Sequence, residues 1–583
     1  MVYILSAVTL SFFAVIFIET ASLFSNVTPS SVSAFWFAMT LVSAGLLRWS
    51  KPTNLFKLPS MPPLGIFEYI AFIGIVLILL INALVAFSFP PNNWDSMTYH
   101  LPRVMHWSIN SSVHFYPTSI DRQLFSQPGA EFLLLHCFLL TGDDRWFNFL
   151  QWISLLGSAI GVSCIAGLLG AGTRGQLLSA LFVTTLPTAI LESTSTQNDL
   201  FVSFWVVAFV TLVLQYQQQS SRIIFYAASM ALGLSTLAKA TNLVVIPFIV
   251  YFFIILWKKE VARIFVCVGI VLLLITGHYI RSWEWNNQSS LISFQQYDIL
   301  FKRNTPAAIT INALFQIGSE LMLPLDTANK SIEGSLQKTT VLLGLSTDYK
   351  NMYARKFTGL SDPSLVFHED YAPNPLHLIL IIALLLFLWR FKPEWKIWLY
   401  ASAVLASSLL FAIIIKWNPW VTRLHLPLFM LSAPLVGVLI GRWKGLSVGI
   451  SFVLLAAAVM VIIYHHSRPL SKLDLTLNSH RREYYFLPKP DSFSPYQTAA
   501  RIILDAKCHD VGLIEDGDSW EYPLWAFTGF GAVRFQKLND QKSPLPCMIV
   551  TIDKPQNKTL NLNKENFDLI WQQEPLQILK RQS

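Results

Sequence analysis

Long apolar runs, separated by short polar segments, make up most of the first 464 residues of the chain. Runs such as Phe72–Phe89, Leu243–Trp257 and Ile397–Ile415 approach or reach the roughly 20 residues that a helix needs to cross the hydrocarbon layer of a bilayer. A backbone in lipid must satisfy its own hydrogen bonds, so these runs predict helices. We predict about thirteen spans with a window of about 20 residues, near residues 3–19, 31–47, 65–89, 146–170, 176–191, 199–216, 223–238, 241–257, 264–281, 375–389, 396–415, 424–441 and 446–464.

After residue 464 the pattern changes to shorter runs that are typical of a soluble domain. The fold class predicted is therefore an all-α polytopic membrane domain over residues 1–464, followed by a small α/β domain over residues 465–583, here called the tail. Within the tail we predict helices over Pro495–Ala506 and Trp520–Thr528, and strands over Val511–Glu515, Ala532–Lys537, Met548–Asp553 and Phe567–Gln573.

Basic residues lie in alternate loops between the predicted spans, and the positive-inside rule makes those loops cytoplasmic. The opposite short loops contain few cations, namely Lys239, Lys416 and Arg423. This orientation places the N-terminus inside and the tail outside, together with a first large loop (residues 90–145) and a second large loop (residues 282–374). The cytoplasmic set comprises Arg48, Lys51, Lys57, Arg174, Arg222, Lys258, Lys259, Arg263, Arg390, Lys392, Lys396, Arg442 and Lys444.

Composition supports the membrane prediction. Hydrophobic residues make up 53% of the chain and charged residues only 13%, against about 25% charged in an ordinary soluble protein. The net charge of +8 would indicate nucleic-acid binding only if basic residues clustered on a soluble face. They lie instead in short loops, so no nucleic-acid partner is predicted. The first run has no basic residue before it and no cleavage pattern after it, and we interpret it as a retained helix.

Two of the five cysteines, Cys508 and Cys547, lie in the polar tail, and we predict that they form a disulfide in an oxidising compartment. Cys137, Cys164 and Cys267 lie in apolar runs and are interpreted as core residues.

The first large loop opens with a dense polar cluster that contains Asp95, His100 and Arg103. Apolar residues between positions 95 and 110 have nearly helical spacing, which predicts a helix along the outer surface with Asp95 near its N-cap. Spacing alone fits two roles of Asp95 equally well, a catalytic carboxylate and a simple helix cap.

Further polar residues are predicted at the same membrane level. Asp199 follows a tight polar turn, where an N-cap role is the simpler interpretation. Lys239, Arg281 and Arg423 lie at the ends of apolar spans on the face that is otherwise poor in cations. Each of them alone fits snorkelling to lipid headgroups. Three cations beside a carboxylate favour a site for a lipid-borne phosphate.

Several short motifs occur in a fixed order. They are Trp94-Asp95 followed by Tyr99-His100-Leu101-Pro102-Arg103, then Gln197-Asn198-Asp199-Leu200, then Gly233–Thr241 with Lys239, then Arg281 after a span, then Trp417-Asn418-Pro419-Trp420 with Arg423 and Pro427.

In this order and on this side of the membrane, the motifs resemble those of the GT-C superfamily of membrane glycosyltransferases, on the branch of protein O-mannosyltransferases and the aminoarabinose transferase of lipid A. The resemblance covers about Pro90 to Tyr464. It implies a polyprenyl-phosphate sugar as donor, Asp95 as catalytic base, and inversion at the anomeric carbon. It also implies phosphate binding by Lys239, Arg281 and Arg423, and substrate contacts by Tyr99, His100, Arg103, Asn198 and Asp199.

The chain departs from that family in two respects. Ser96 and Met97 follow Asp95, where family members often have a second acid. We therefore predict no metal and no cofactor. Three predicted spans precede the motif loop, where the family commonly has one.

The predicted activity is transfer of a hexose or pentose to an acceptor lipid, protein or polysaccharide, by a multi-pass protein of the bacterial plasma membrane. A transporter or flippase of a lipid-linked glycan is one alternative, but it would favour charged residues near the bilayer midplane and paired repeats. A polysaccharide polymerase or ligase is a second alternative that sequence separates poorly from the first prediction.

Overall fold

The computed structural model of the protein describes residues 1–50, 65–286, 305–344, 363–473, 480–538, 545–556, 558–562 and 564–582. Three helices precede the first large loop: α1 (Val2–Leu23), α2 (Pro29–Ser50) and α3 (Ile66–Ser88). The loop itself contains a π-helix (Ser96–His100), α4 (Leu101–Asn110), α5 (Arg122–Phe125) and α6 (Gly129–Thr141).

The chain then forms α7 (Phe149–Leu168), α8 (Thr173–Thr184), α9 (Pro187–Glu192), α10 (Asp199–Gln218), α11 (Arg222–Ala238), a 3-10 turn (Ala240–Val245) leading into α12 (Ile246–Lys259), and α13 (Ala262–Asn286). The second large loop contributes α14 (Pro306–Glu320), α15 (Asp326–Leu342) and a 3-10 turn (Pro363–Phe367). The remaining helices of the membrane domain are α16 (Pro375–Leu386), α17 (Trp395–Ile414), α18 (Val421–Leu424), α19 (Leu426–Ile440) and α20 (Lys444–Ile463), with a 3-10 turn (Leu388–Phe391) after α16.

Nine helical segments in the described part of the chain are long and apolar enough to cross a membrane: α1, α2, α3, α7, α10, residues 240–259, α13, α17 and α20. Each coincides with a predicted span. The apolar helices α6, α11, α16 and α19 are shorter, with 10–17 residues, and the total of thirteen spans stays a prediction. The chain is thus a polytopic helical membrane protein with a small C-terminal sheet domain.

The predicted span at 176–191 is interrupted. Helix α8 ends at Thr184 and α9 begins at Pro187. Proline has no backbone N–H and disfavours a helical conformation in the residue before it, so the helix cannot continue through Leu186. The break directs the chain into the polar turn before α10, where the candidate site lies.

Helix α10 is the central helix of the bundle. Of its apolar stretch, 89% is buried, and it packs against α7, α11 and α19. Helices α8 and α19 approach so closely that a Cβ atom at Gly175 would lie 2.4 Å from the carbonyl oxygen of Gly437. Only glycine allows this backbone contact. The bundle is therefore densely packed beneath the polar segments.

The tail contains α21 (Arg481–Tyr484), α22 (Phe493–Asp505) and α23 (Tyr522–Phe527), and a six-stranded sheet with the order β2-β1-β3-β6-β5-β4. Strand β1 is parallel to β2 and β3, and the other pairs are antiparallel. The strands are β1 (Asp510–Glu515), β2 (Arg534–Lys537), β3 (Met548–Ile552), β4 (Thr559–Leu562), β5 (Glu565–Gln573) and β6 (Leu576–Arg581). Sequence analysis did not predict β4 and β6. Cys508 and Cys547 are joined by a disulfide in the structure.

The helix after Asp95 does not lie along the surface as expected. Residues 101–107 are buried, because α4 packs between α6 and α23 of the tail. His106 on α4 pairs with Glu521 of the tail over 2.7 Å. The tail and the first large loop therefore form one packed unit.

Candidate functional site

Asp95 directly precedes the π-helix at its N-cap position, as the spacing predicted, but its side chain makes no capping hydrogen bond. Asn93 supplies that hydrogen bond, because its Oδ1 accepts from the backbone N–H of Ser96 over 2.7 Å. The Asp95 side chain instead faces two guanidinium groups: Arg423 Nη2 donates to its Oδ2 over 2.8 Å, and Arg122 Nη1 donates to its Oδ1 over 3.5 Å. The sequence left open two roles for Asp95, a catalytic carboxylate and a helix cap. Its contacts with two guanidinium groups favour the first of these roles.

Arg423 is shared between two carboxylates. Its Nη1 donates to Oδ1 of Asp370 over 3.0 Å, and the same oxygen accepts from Nε2 of Gln197 over 2.9 Å. Asp370 is buried in the second large loop, as is the adjacent Glu369, which pairs with Arg468 of the tail over 3.1 Å. The two adjacent carboxylates of this loop are therefore enclosed and paired.

The two carboxylates on Arg423 differ in proton affinity. Burial raises the pKa of Asp95, but the charges of Arg423 and Arg122 outweigh burial, so this pKa lies well below its usual value. For Asp370, burial and the negative charge of Asp95 prevail over the attraction of Arg423, and the pKa is raised. Asp95 is therefore ionised across the ordinary pH range, and Asp370 takes up a proton first as the pH falls.

A second ion pair belongs to the same site. Lys239, at the end of α11, donates to Oδ1 of Asp199 over 2.6 Å. Burial of the guanidinium lowers the pKa of Arg423, but nearby carboxylates together raise it well above its usual value. Asp95 and Asp370 contribute most to this rise, and Asp199 and Glu192 add to it. Asp199 is not an N-cap, because Asn198 precedes the helix and Asp199 is its first residue.

Several buried polar atoms at this site have no hydrogen-bond partner among the described residues. They include Arg423 Nε, Asp199 Oδ2, Asn198 Oδ1, Glu192 Oε1 and Thr422 Oγ1. A buried polar group without a partner is costly, and such groups are rare in native proteins. Their concentration around two cations is the arrangement expected of a site for a polar ligand.

Arg281 has a different partner from the other predicted cations. Its Nη1 and Nη2 donate to the two oxygens of Glu19 on α1 over 2.6 and 2.8 Å. This bidentate pair joins α13 to α1. The structure therefore brings together Asp95, Arg423 and the Lys239–Asp199 pair, and it pairs Arg281 elsewhere.

His100, Arg103 and Tyr99, the predicted substrate-binding residues of the first large loop, have defined partners in the structure. His100 Nδ1 lies 2.5 Å from Oε1 of Glu131, and Arg103 Nη2 donates to the backbone oxygen of Arg122 over 2.8 Å. The guanidinium carbon of Arg122 lies 5.0 Å from the centre of the Tyr99 ring. Arg103 and Tyr99 therefore contact Arg122 directly, whereas His100 pairs with Glu131 and packs against the Tyr99 ring.

Sequence analysis missed three residues that contact this cluster: Arg122, Gln197 as a hydrogen-bond donor, and Asp370. Asp370 belongs to a short polar run, and Arg122 lies in an ordinary loop, so neither has a local signal. Among the residues that the structure describes, no group of three or more His, Cys, Asp or Glu side chains could hold a metal ion.

No family model and no curated protein matches this chain. Among solved structures it is similar to ArnT from Cupriavidus metallidurans bound to undecaprenyl phosphate, with 12% identity and a TM-score of 0.45 over 80% of this chain and 77% of the other. The apo state of that protein gives 13% identity and a TM-score of 0.48 over 87% and 97%. The Archaeoglobus fulgidus oligosaccharyltransferase complex with Zn and sulfate has 11% identity and a TM-score of 0.37, over 82% of this chain and 68% of the other.

Proposed function

We propose that this chain is an integral membrane glycosyltransferase that moves a sugar from a polyprenyl-phosphate donor to an acceptor hydroxyl at the outer membrane face, with inversion and with Asp95 as base. The observation that carries the proposal is the contact between Asp95 and Arg423. It combines a carboxylate with a cation in one enclosed site at the end of a membrane helix bundle.

The donor phosphate fits the cations of the site. Guanidinium and ammonium groups are the usual protein partners of phosphate oxygens. Arg423 and Lys239 lie at the ends of membrane helices, where the phosphate of a lipid lies when its polyprenyl chain extends along the bundle. Arg281 remains a candidate third ligand, but it would first have to separate from Glu19.

The proposed reaction is a single displacement. The acceptor oxygen attacks the anomeric carbon from the face opposite the phosphate, and its proton passes to Asp95. The bond between the anomeric carbon and the phosphate oxygen breaks, and its electron pair stays on the leaving phosphate. The cations stabilise the charge that develops there. One displacement inverts the configuration.

The low pKa of Asp95 makes it a weak base as long as Arg423 and Arg122 hold it. Binding of the donor phosphate changes this balance, because the phosphate competes with Asp95 for Arg423. As the guanidinium turns to the phosphate, the proton affinity of Asp95 rises. Donor binding thus prepares the carboxylate for proton transfer.

The sugar is a hexose or a pentose, and the acceptor is a lipid, a protein or a polysaccharide. We place the protein in the bacterial plasma membrane, with its N-terminus cytoplasmic and its tail outside.

A donor assay in membranes tests this function. A panel of radiolabelled polyprenyl-phosphate sugars is supplied to membranes that contain the wild-type chain or Asp95→Asn. We expect label to leave one of these donors with the wild type and to stay on it with the variant. Undiminished transfer by the variant would reject Asp95 as base. Movement of an intact lipid-linked glycan across the membrane without transfer would favour a flippase, and transfer only of preassembled glycans would favour a polymerase or ligase.

A further inference from the structure

Arg122 connects the candidate base to the tail domain. Its Nη1 faces Asp95, while its Nη2 donates to the carbonyl oxygen of Gly517 over 3.1 Å and also to the carboxylate of Asp518. Gly517 and Asp518 belong to the turn that follows β1 of the sheet. The turn is thus one side chain away from the carboxylate at which the proposed reaction takes place.

The two oxygens of Asp95 face different surroundings. Oδ2 is held by Arg423, whose side chain is 12% exposed and is flanked by the buried Asp370. Oδ1 faces Arg122, whose side chain is 20% exposed and whose partner Asp518 is 48% exposed. The side of Arg122 is therefore the more exposed one, and the side of Arg423 is the more enclosed one. An inverting displacement needs donor and acceptor on opposite faces of the reacting carbon, which matches this division.

The junction between the tail and the first large loop has open space. No described atom lies within 4 Å of a Cβ atom built at Gly517, and the backbone of Gly517 is outside the left-handed region. The absence of a side chain at Gly517 therefore satisfies no packing or backbone requirement within the described structure. It leaves room directly beside the partner atoms of Arg122.

Aromatic and polar groups border this space. Trp94, next to Asp95, is 42% exposed and contacts Trp520 of the tail edge-on at 5.4 Å between ring centres. Lys489 Nζ lies 5.7 Å from the centres of both rings and 3.8 Å from the carboxylate of Asp553. A half-exposed indole with charged groups beside it suits a pyranose ring, which presents an apolar C–H face and a polar rim of hydroxyls.

The topology of the sheet points to the same place. Strand β1 is flanked by β2 and β3 in parallel, and the chain passes from β1 to β2 on one side and then to β3 on the other. Open α/β sheets bind ligands beyond the carboxyl ends of the strands at such a reversal. Here the turn after β1 covers the end of β3, because Ser519 Oγ donates to the carbonyl oxygen of Ile552 over 3.0 Å.

From these observations we infer that the acceptor is a glycan that binds between the turn Asp516–Trp520 and Trp94, and that its hydroxyl reaches Asp95 from the side of Arg122. Arg122 is then a positioning residue, because it contacts both Asp95 and the turn of the tail that borders the acceptor. This inference rests on the proposed glycosyl transfer and names the acceptor side of the same site.

The test introduces a large side chain at Gly517, where a Cβ atom has no described neighbour within 4 Å. Gly517→Trp is compared with Gly517→Ala and with Gly334→Trp, which adds the same side chain at another open position on α15. Membranes that contain each full-length chain and their endogenous acceptors receive the radiolabelled polyprenyl-phosphate sugar that the wild type consumes. Label is followed in three fractions, namely organic-soluble lipid, protease-sensitive material and protease-resistant aqueous material. Release of free sugar to water is measured separately on purified chains.

We expect wild-type label in the protease-resistant aqueous fraction. Gly517→Trp should reduce this transfer at least tenfold and keep the release of sugar to water within twofold of wild type. Gly517→Ala should reduce transfer by a smaller factor, and Gly334→Trp should transfer at the wild-type rate. Label on a lipid that separates from the supplied donor by chromatography, or label in the protease-sensitive fraction, would overturn the glycan assignment. Full transfer by Gly517→Trp, or equal loss of transfer and hydrolysis with an unchanged melting temperature, would overturn the acceptor site. If the wild type consumes no donor, the proposed function itself fails.

Discussion

Arg423 donates a hydrogen bond to Asp95 over 2.8 Å, although the two residues lie 328 positions apart in the chain. The contact joins the first large loop to the turn before α19. It brings a carboxylate that can accept a proton next to a cation that can bind phosphate. The same contact lowers the proton affinity of the carboxylate, so in the proposed reaction it has to loosen before Asp95 takes up a proton.

Asp95→Asn should reduce sugar transfer by about 10²–10⁴-fold, the range typical for loss of a general base. Donor binding should persist or improve, because the amide leaves Arg423 with one fewer anionic partner. Initial rates and donor KM in nanodiscs measure both effects. Asp121→Asn, in the same loop, is the control. A donor KM that rises as much as the rate falls would assign Asp95 to donor binding instead.

Donor affinity should depend on pH through Asp370. The pKa of this carboxyl is raised by burial and by Asp95, so it takes up a proton before Asp95 as the pH falls. Protonation removes one of the charges that compete for Arg423, and the donor KM should therefore decrease toward acid pH. Asp370→Asn should give a low donor KM that no longer varies over that interval. A variant with the wild-type pH profile would contradict this role of Asp370.

Lys239 should affect both folding and donor binding. The side chain of Asp199 is 1% exposed, so Lys239→Met leaves a buried carboxylate without its cation, which typically costs about 3–5 kcal/mol. The double variant Lys239→Met/Asp199→Asn removes both charges and should recover most of the lost thermal stability. Its donor KM should remain at least tenfold above that of wild type. Recovery of stability together with a normal donor KM would limit Lys239 to a structural role.

Parts of this architecture follow from local sequence patterns. Apolar length alone predicts the nine long spans, and turn residues and alternation predict four of the six strands. Strand β4 has only four residues, so its alternation of two leucines with two polar residues is too short to predict a strand. The break before Pro187 has a local signal in the proline itself, but apolar length alone does not detect it.

The site shows the same division between local and long-range information. Asp95, Lys239 and Arg423 are visible in the sequence because charges next to apolar spans are unusual. The partners are not visible: Glu19 for Arg281, Asp370 for Arg423 and Asp518 for Arg122 all lie more than 50 positions away. Only the packing of the helices and the tail determines which charges meet.

The disulfide should stabilise the tail where it rests on the first large loop. Cys508 precedes β1 and Cys547 precedes β3, and the bridge closes a segment with a sequence separation of 39 residues. Closing a loop of this size restricts the unfolded chain and typically contributes about 2–4 kcal/mol. Cys508→Ser/Cys547→Ser should therefore lower the melting temperature of the purified protein under non-reducing conditions. Reductant should lower the melting temperature of the wild type toward that of the double variant and leave the variant unchanged.

Because the turn after β1 holds Arg122 against Asp95, transfer should be lost at a lower temperature in the variant, with an unchanged rate well below that temperature. Equal melting temperatures with and without the two cysteines, or two free thiols in the unreduced protein, would contradict the bridge.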